Sequence, residues 1–224
     1  MGFLNGLFQA FPIVIGYLAI GTPFGLIATK MGIPIWAVLL MSVMVYAGSA
    51  QFVAVQLILA GSNILSIVLA TLILNLRHAL MCISLGSSLP KLKLPFLLLF
   101  SHTVTDESYG VNMAKIKEEE YLNPMNALGT NLMAYFSWIL ATLLGAYIGA
   151  LVPIDLKYLA GALPIMFVAL MSTQLKDRKH VLFALLAAVL TLLLMSVLPG
   201  KWPFLLTAIG VPTIATFYEL QRIS

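Results

Sequence analysis

The chain has 224 residues, 61% hydrophobic and 9% charged, with a mean hydropathy of +1.03. An ordinary globular domain is about 45–50% apolar and about 25% charged, and a soluble chain of this size cannot cover so much apolar surface with so few charges. The composition excludes a soluble enzyme, a disordered chain and a disulfide scaffold, the last also because Cys82 is the single cysteine. The net charge of +4 comes from 12 Lys and Arg set singly or in short groups. No basic face with interleaved aromatics exists, so nucleic acid is not a partner, and the cations read as orientation signals at helix ends.

Charge-free stretches locate the spans. Residues 1–29, 31–76, 121–154, 158–175, 181–200 and 202–218 hold no charged side chain. About 20 apolar residues in a helix cross roughly 30 Å of hydrocarbon. A closed barrel would need alternating strands, and runs such as Val181–Val197 do not alternate. The expected fold is all-α: one polytopic transmembrane domain over residues 1–224.

In chain order the expected spans are 11–29, 35–60, 64–86, 94–114, 127–150, 157–174, 180–198 and 202–219. That is eight helices, or seven if two of the short last three merge. Met1–Ala10 carries no Lys or Arg, so no cleavable signal peptide is expected, and Gly6 breaks the myristoylation pattern. The first span is interrupted at Gly21-Thr22-Pro23-Phe24-Gly25. The second is too long for one straight crossing and has a soft centre, Tyr46-Ala47-Gly48-Ser49-Ala50-Gln51-Phe52. Small residues there serve close helix packing or a break in the helix. A break would aim the N–H groups of Ser49, Ala50 and Gln51 at a cavity, a carboxylate site without a charged side chain. Gly161-Ala162-Leu163-Pro164 and Gly210-Val211-Pro212 interrupt the sixth and eighth spans. Interruptions in both halves point to discontinuous helices and an inverted repeat. The loops are short, and the longest, Lys115–Asn126, reads as a solvated helix end. The Lys176-Asp177-Arg178-Lys179 cluster favours the cytoplasmic side, with both termini inside.

Charges inside spans need a reason, because each costs a few kcal/mol or more near the bilayer centre. Arg77 lies near the middle of the third span, with Asn75 and His78 beside it. Asp106 and Glu107 lie near the middle of the fourth. Neighbouring spans joined by a short loop run antiparallel, so Arg77 can reach Asp106 or Glu107. The plain explanation is an ion pair that fixes packing; the sharper one is a transport role. His102, Asp106 and Tyr109 share one face of a continuous helix, with Glu107 about 100° away, and a proton relay through His102 and Asp106 follows from that placement.

Enzyme chemistry is not expected. Ser49 with His78 or His102 lacks the flanking pattern of a serine hydrolase. Three His without a His-x-x-x-His pair do not form a metal site, and no phosphate-binding Gly-rich loop exists. Neither a metal nor a cofactor is expected. A passive channel or the membrane scaffold of a larger transport complex is the alternative to a transporter.

The residues Gly16-Tyr17, Gly21, Phe24-Gly25, Ser42, Tyr46 through Phe52, Asn75-Leu76-Arg77-His78 and Thr105-Asp106-Glu107 resemble the AzlC family, large subunits of branched-chain amino-acid exporters. The resemblance runs from about residue 10 to 200 and is densest over 12–110. It implies export of branched-chain and other hydrophobic amino acids, with a small AzlD-like membrane subunit as partner, in the bacterial plasma membrane. The chain carries no ATP-binding motif, so secondary transport, driven by an ion gradient, is expected. The positions matching the family's motifs are Gly48, Gln51, Asn75, Arg77, His78 and Asp106. The expected substrate site is Gly48, Ser49, Ala50, Gln51, Asn75, Arg77 and His78; the expected proton-coupling group is Asp106, Glu107 and His102.

Overall fold

A computed structural model describes residues 2–119, 121–153 and 177–198, with positions 203, 206, 207, 210, 211 and 213–215. Every described element is helical: α1 (Gly2–Gln9), α2 (Phe11–Lys30), α3 (Ile35–Leu40) running into a π-helical turn (Met41–Val45), α4 (Gly48–Leu59), α5 (Ile64–Gly86), α6 (Leu94–His102), α7 (Asp106–Glu119), α8 (Pro124–Leu151) and α9 (Arg178–Val197). The chain divides into two compact units, Met1–Met166 and Phe167–Ser224. In the second, the Thr191 and Thr207 hydroxyls pair at 2.9 Å. The sixth expected span and its Gly161–Pro164 interruption lie outside the described residues, as do Pro212 and much of 202–219.

Among the described residues, α2, α5 and α8 are long and apolar enough to cross a membrane. α5 matches the expected 64–86, and α2, α8 and α9 match their expected spans within a few residues. Glycine ends α2 and α4 in the same way. Gly32 and Gly61 take positive φ, +92° and +65°. The following amides, Ile33 and Ser62, reach back to the carbonyls of Ala28 and Leu57. That closure satisfies the last carbonyls and turns the chain sharply. Asn63 then caps α5, its Oδ1 accepting the Ser66 amide at 2.8 Å.

The expected interruption of the first span does not occur. α2 is continuous through Pro23, and its glycines serve helix contact instead. Gly21-x-x-x-Gly25 on α2 faces Gly145-x-x-x-Gly149 on α8. A Cβ on Gly25 would overlap the Thr142 carbonyl, one on Gly145 the Thr22 carbonyl, and one on Gly149 would meet Leu26 backbone at 2.8 Å. Inside lipid, where burial gives helices no preference for each other, such backbone-to-backbone approach is how two helices gain contact. The register also gives direction. Gly6 meets Asn126, Gly21 meets Ala141, and Gly149 meets Leu26. Residue numbers rise together on both sides, so α1–α2 and α8 run parallel.

Two expected spans are split. The second breaks between its π-turn and α4. The fourth ends as a helix at His102 and restarts at Asp106, with Thr103–Thr105 between. Its second half runs on to Glu119, into the stretch expected to be loop. Around this second break, Leu85, Phe100, Val104, Leu122 and Ala127 form a buried apolar cluster that holds α5, α6, α7 and the start of α8 together.

Candidate functional site

The first break is built from backbone. Five residues, Met41–Val45, wind as a π-helix. Tyr46 then takes a left-handed conformation, φ 43°, ψ 48°, among described residues the single non-glycine at positive φ. Ala47 is extended, φ −144°, ψ 95°, and α4 starts at Gly48. A bulky residue held left-handed costs about 1–3 kcal/mol and persists where its surroundings over-determine it. Here they do. Tyr46 is 3% exposed, with its ring edge-on to Tyr135 at 4.8 Å. The Trp138 ring covers Gly48 so closely that a Cβ there would lie 2.9 Å from it.

The break frees backbone groups on both sides. Val43's carbonyl is taken twice, by the Tyr135 hydroxyl at 2.9 Å and His102 Nε2 at 2.9 Å. A carbonyl only accepts, so His102 Nε2 carries a proton. On the other side, Gly48, Ser49 and Ala50 occupy the first three positions of α4, whose amides have no acceptor within the helix. Ala47, at the cap, offers no side-chain acceptor. Gln51 N–H already donates to the Ala47 carbonyl at 2.9 Å. The open amides are therefore those of residues 48–50, one position earlier than the sequence suggests, because the helix begins at Gly48.

Gln51 has a different task. Fully buried, its Oε1 accepts from Trp138 Nε1 at 2.9 Å and its Nε2 donates to Ser42 Oγ at 3.1 Å. Ser42 pairs in turn with Thr142 Oγ1 at 2.8 Å. This chain ties both sides of the break to α8. Gln51 is thus a brace, with both its amide oxygen and its amide nitrogen engaged.

Arg77 joins the two breaks. Its Nη2 donates to Ser49 Oγ at 2.8 Å, in the first turn of α4. Its Nη1 pairs with Asp106 Oδ2 at 2.9 Å, in the first turn of α7. Both partners are about one-third exposed, 33% and 34%. Asp106 and Glu107 sit at a helix N-terminus, where the peptide dipoles favour negative charge. Thr105 caps that end: its Oγ1 accepts the Ser108 amide at 3.4 Å, and Ser108 Oγ accepts the Thr105 amide at 3.0 Å. Tyr17, buried on α2, donates to Glu107 Oε2 at 2.8 Å and meets Thr105 Oγ1 at 2.7 Å. Glu107 therefore turns away from Arg77 toward another helix, as its position beside Asp106 suggests.

The expected common face of His102, Asp106 and Tyr109 is overturned. Thr103–Thr105 interrupts the helix, so four-residue spacing no longer aligns them. His102 holds Val43, Asp106 holds Arg77, and the Tyr109 hydroxyl pairs with Ser84 Oγ at 3.1 Å. Asn75 leaves its Oδ1 buried without a hydrogen-bond partner, as does Arg77 its Nε. Half-buried His78 makes no side-chain hydrogen bond among the described residues. Ser49 accepts from a guanidinium, the opposite of what activates a serine nucleophile, which needs a base to take its proton.

Sequence reasoning did not assign the roles of Tyr17, Ser42, Tyr135, Trp138 and Thr142. The available signal was polar atoms inside apolar helices, which seek partners wherever the fold brings them. Nothing in their spacing named those partners.

Residues 12–152 match the family described as AzlC protein. A membrane protein of Helicobacter pylori without a characterized role is 28% identical over 222 residues, 95% of this chain and 94% of its own. One from Archaeoglobus fulgidus is 30% identical over 179 residues, 79% of this chain and 77% of its own. The branched-chain amino acid transport protein AzlC of Bacillus subtilis is 26% identical over 211 residues, 91% of this chain and 81% of its own. No solved structure matches.

Proposed function

The chain belongs to the AzlC family of membrane proteins, and from that premise we propose that it is the large subunit of a secondary transporter exporting branched-chain and other hydrophobic amino acids. It works as one transmembrane domain of seven or eight spans in the bacterial plasma membrane, beside a small AzlD-like subunit. The observation that carries this reading is the break at Tyr46–Ala47. It leaves the amides of Gly48, Ser49 and Ala50 open at a positive helix end, with the Arg77 guanidinium bonded to Ser49. That combination suits a carboxylate in a low-dielectric setting.

Arg77 is the charged partner of the substrate carboxylate, while Asn75 and His78, on the same helix, supply polar atoms near it. Gly48 allows the Trp138 ring to cover the break, and Gln51 holds it open. One of the two neighbouring carboxylates, Asp106 or Glu107, carries the coupled proton. His102 contributes through the Val43 carbonyl at the break, since it shares no helix face with Asp106.

The test is leucine efflux from liposomes containing the full chain and its small partner. Saturable efflux that a pH gradient accelerates is expected. Asp106→Asn removes the acceleration, and Arg77→Gln lowers efflux at least about tenfold, as loss of a charge-assisted hydrogen bond does. Flux that never saturates, or that ignores both the gradient and Asp106→Asn, refutes proton-coupled export and favours a passive channel.

A further inference from the structure

Three charged side chains meet at the two breaks, and they do not balance. Arg77 and Asp106 cancel at 2.9 Å. Glu107 remains. It is exposed within this chain, and among the described residues no Lys, Arg or His lies within ion-pair distance of it. Its one observed hydrogen bond is from an uncharged hydroxyl, Tyr17 Oη at 2.8 Å. An exposed carboxylate without a counter-charge, at this depth in the sequence of spans, is open to a cation.

The hydrogen bonds fix the orientation of this carboxylate. The Ser108 amide donates to Thr105 Oγ1. Tyr17 donates its single proton to Glu107, so Thr105 Oγ1 must donate to Tyr17. The donors run one way and end on Glu107 Oε2, which holds the carboxylate toward α2. Tyr17 is 5% exposed and is itself held by the Trp138 ring, edge-on at 5.2 Å. The Tyr46 hydroxyl, at the first break, is buried and has no hydrogen-bond partner among the described residues. The two breaks thus present a cationic pole, made of open α4 amides and Arg77, and an anionic pole at Glu107, next in the chain to Arg77's partner Asp106, with the buried Tyr46 hydroxyl unused at the first break.

We propose that Glu107 is the acceptor for the ammonium group of the substrate, set in place by Tyr17, and that it restricts this site to zwitterionic α-amino acids. The assignment rests on the carboxylate site proposed above. It divides the two neighbouring carboxylates: Asp106 balances Arg77 and is left as the proton-coupling group, while Glu107 reads the amine. A fatty acid or 2-oxo acid of the same shape offers the carboxylate alone and leaves Glu107 without a counter-charge.

The experiment measures competition with leucine efflux in liposomes carrying the full chain and its small partner. The competitors are leucine, 4-methylpentanoate, which lacks the amine, and 3-methylbutylamine, which lacks the carboxylate. The intact protein prefers leucine to 4-methylpentanoate by at least about tenfold, the size of one charge-assisted contact. Glu107→Gln, which keeps the hydrogen bond from Tyr17 and removes the charge, brings the two within about threefold; Glu107→Asp restores part of the preference. Circular dichroism and gel-filtration profiles unchanged from the parent show that each variant folds. A Glu107→Gln protein that still prefers leucine tenfold overturns the ammonium assignment and leaves the carboxylate site standing. An intact protein competed by none of the three compounds overturns both.

Discussion

Arg77 shows how one side chain can be structural and functional at once. Its two terminal nitrogens are used, one on Ser49 and one on Asp106, so it stitches α4 to α7 whether or not a substrate is present. Removing it strands Asp106 as an uncompensated charge. Arg77→Gln is expected to lower stability by roughly 1–3 kcal/mol, less than for a fully buried pair because both partners keep some contact with solvent. Adding Asp106→Asn should recover most of that loss in a thermal unfolding series, yet leave leucine efflux abolished, since the guanidinium is still missing. Full recovery of efflux in the double variant would reduce the pair to a packing device. Ser49→Ala makes the complementary case. The amides at the start of α4 belong to the backbone and survive the change, so efflux should fall by less than about tenfold, the weight of one side-chain hydrogen bond; abolition would reopen a nucleophilic role for the hydroxyl.

At the scale of elements, two kinds of glycine contact decide where helices break and where they join. Gly21 and Gly25 read in sequence like a break, but they join. Gly25→Ala pushes a Cβ into the Thr142 carbonyl, a backbone atom that cannot swing aside. A loss of about 1–3 kcal/mol is expected. Gly16, on the same helix with nothing within 4 Å of its added Cβ, is the control. Gly16→Ala should be neutral or raise stability by about 0.5–1 kcal/mol through helix propensity. Melting both variants in detergent checks the pair, and equal effects would deny that α2 and α8 meet through their glycines. The brace across the first break carries its own expectation. Gln51→Leu leaves Trp138 Nε1 without its acceptor and deprives Ser42 of a donor, which costs about 1–3 kcal/mol per orphaned buried group. The same variant should raise proteolytic cleavage around Tyr46, because the left-handed turn loses what holds it.

For the molecule as a whole, the parallel run of α1–α2 and α8 constrains the path between them. Parallel helices in one bilayer are separated by an odd number of crossings. Three candidates lie between: α3–α4, α5 and α6–α7, the first and last each broken. Each broken pair then counts as one crossing. With Cys82 replaced by Ser, single cysteines at Met31 and Val152 should label from one side of the membrane and a cysteine at Ser62 from the other. Labelling of positions 31 and 152 from opposite sides would mean that one broken element turns back within the bilayer. The exposed apolar face of α5, including Ile64, Leu72 and Ile83, is of the kind that lipid or a second membrane subunit covers.

Composition excluded a soluble chain, because 61% apolar residues with 9% charge leave no soluble solution, and long apolar runs without alternation made the membrane fold helical. Hydropathy set the limits of α5 and nearly those of α2 and α8, since crossing hydrocarbon demands an unbroken length of apolar helix. The soft stretch Tyr46–Phe52 was legible as a break, and the pairing of Arg77 with Asp106 as a contact, because an intramembrane charge has so few places to go. The second break was not legible. Thr103–Thr105 carries no Gly or Pro, and what stops the helix there is Thr105 capping α7 while Tyr17 grips it from α2. Whether Gly21–Gly25 breaks or joins likewise depends on what stands opposite. Partners distant in the chain decide such points, and only the packed structure supplies them.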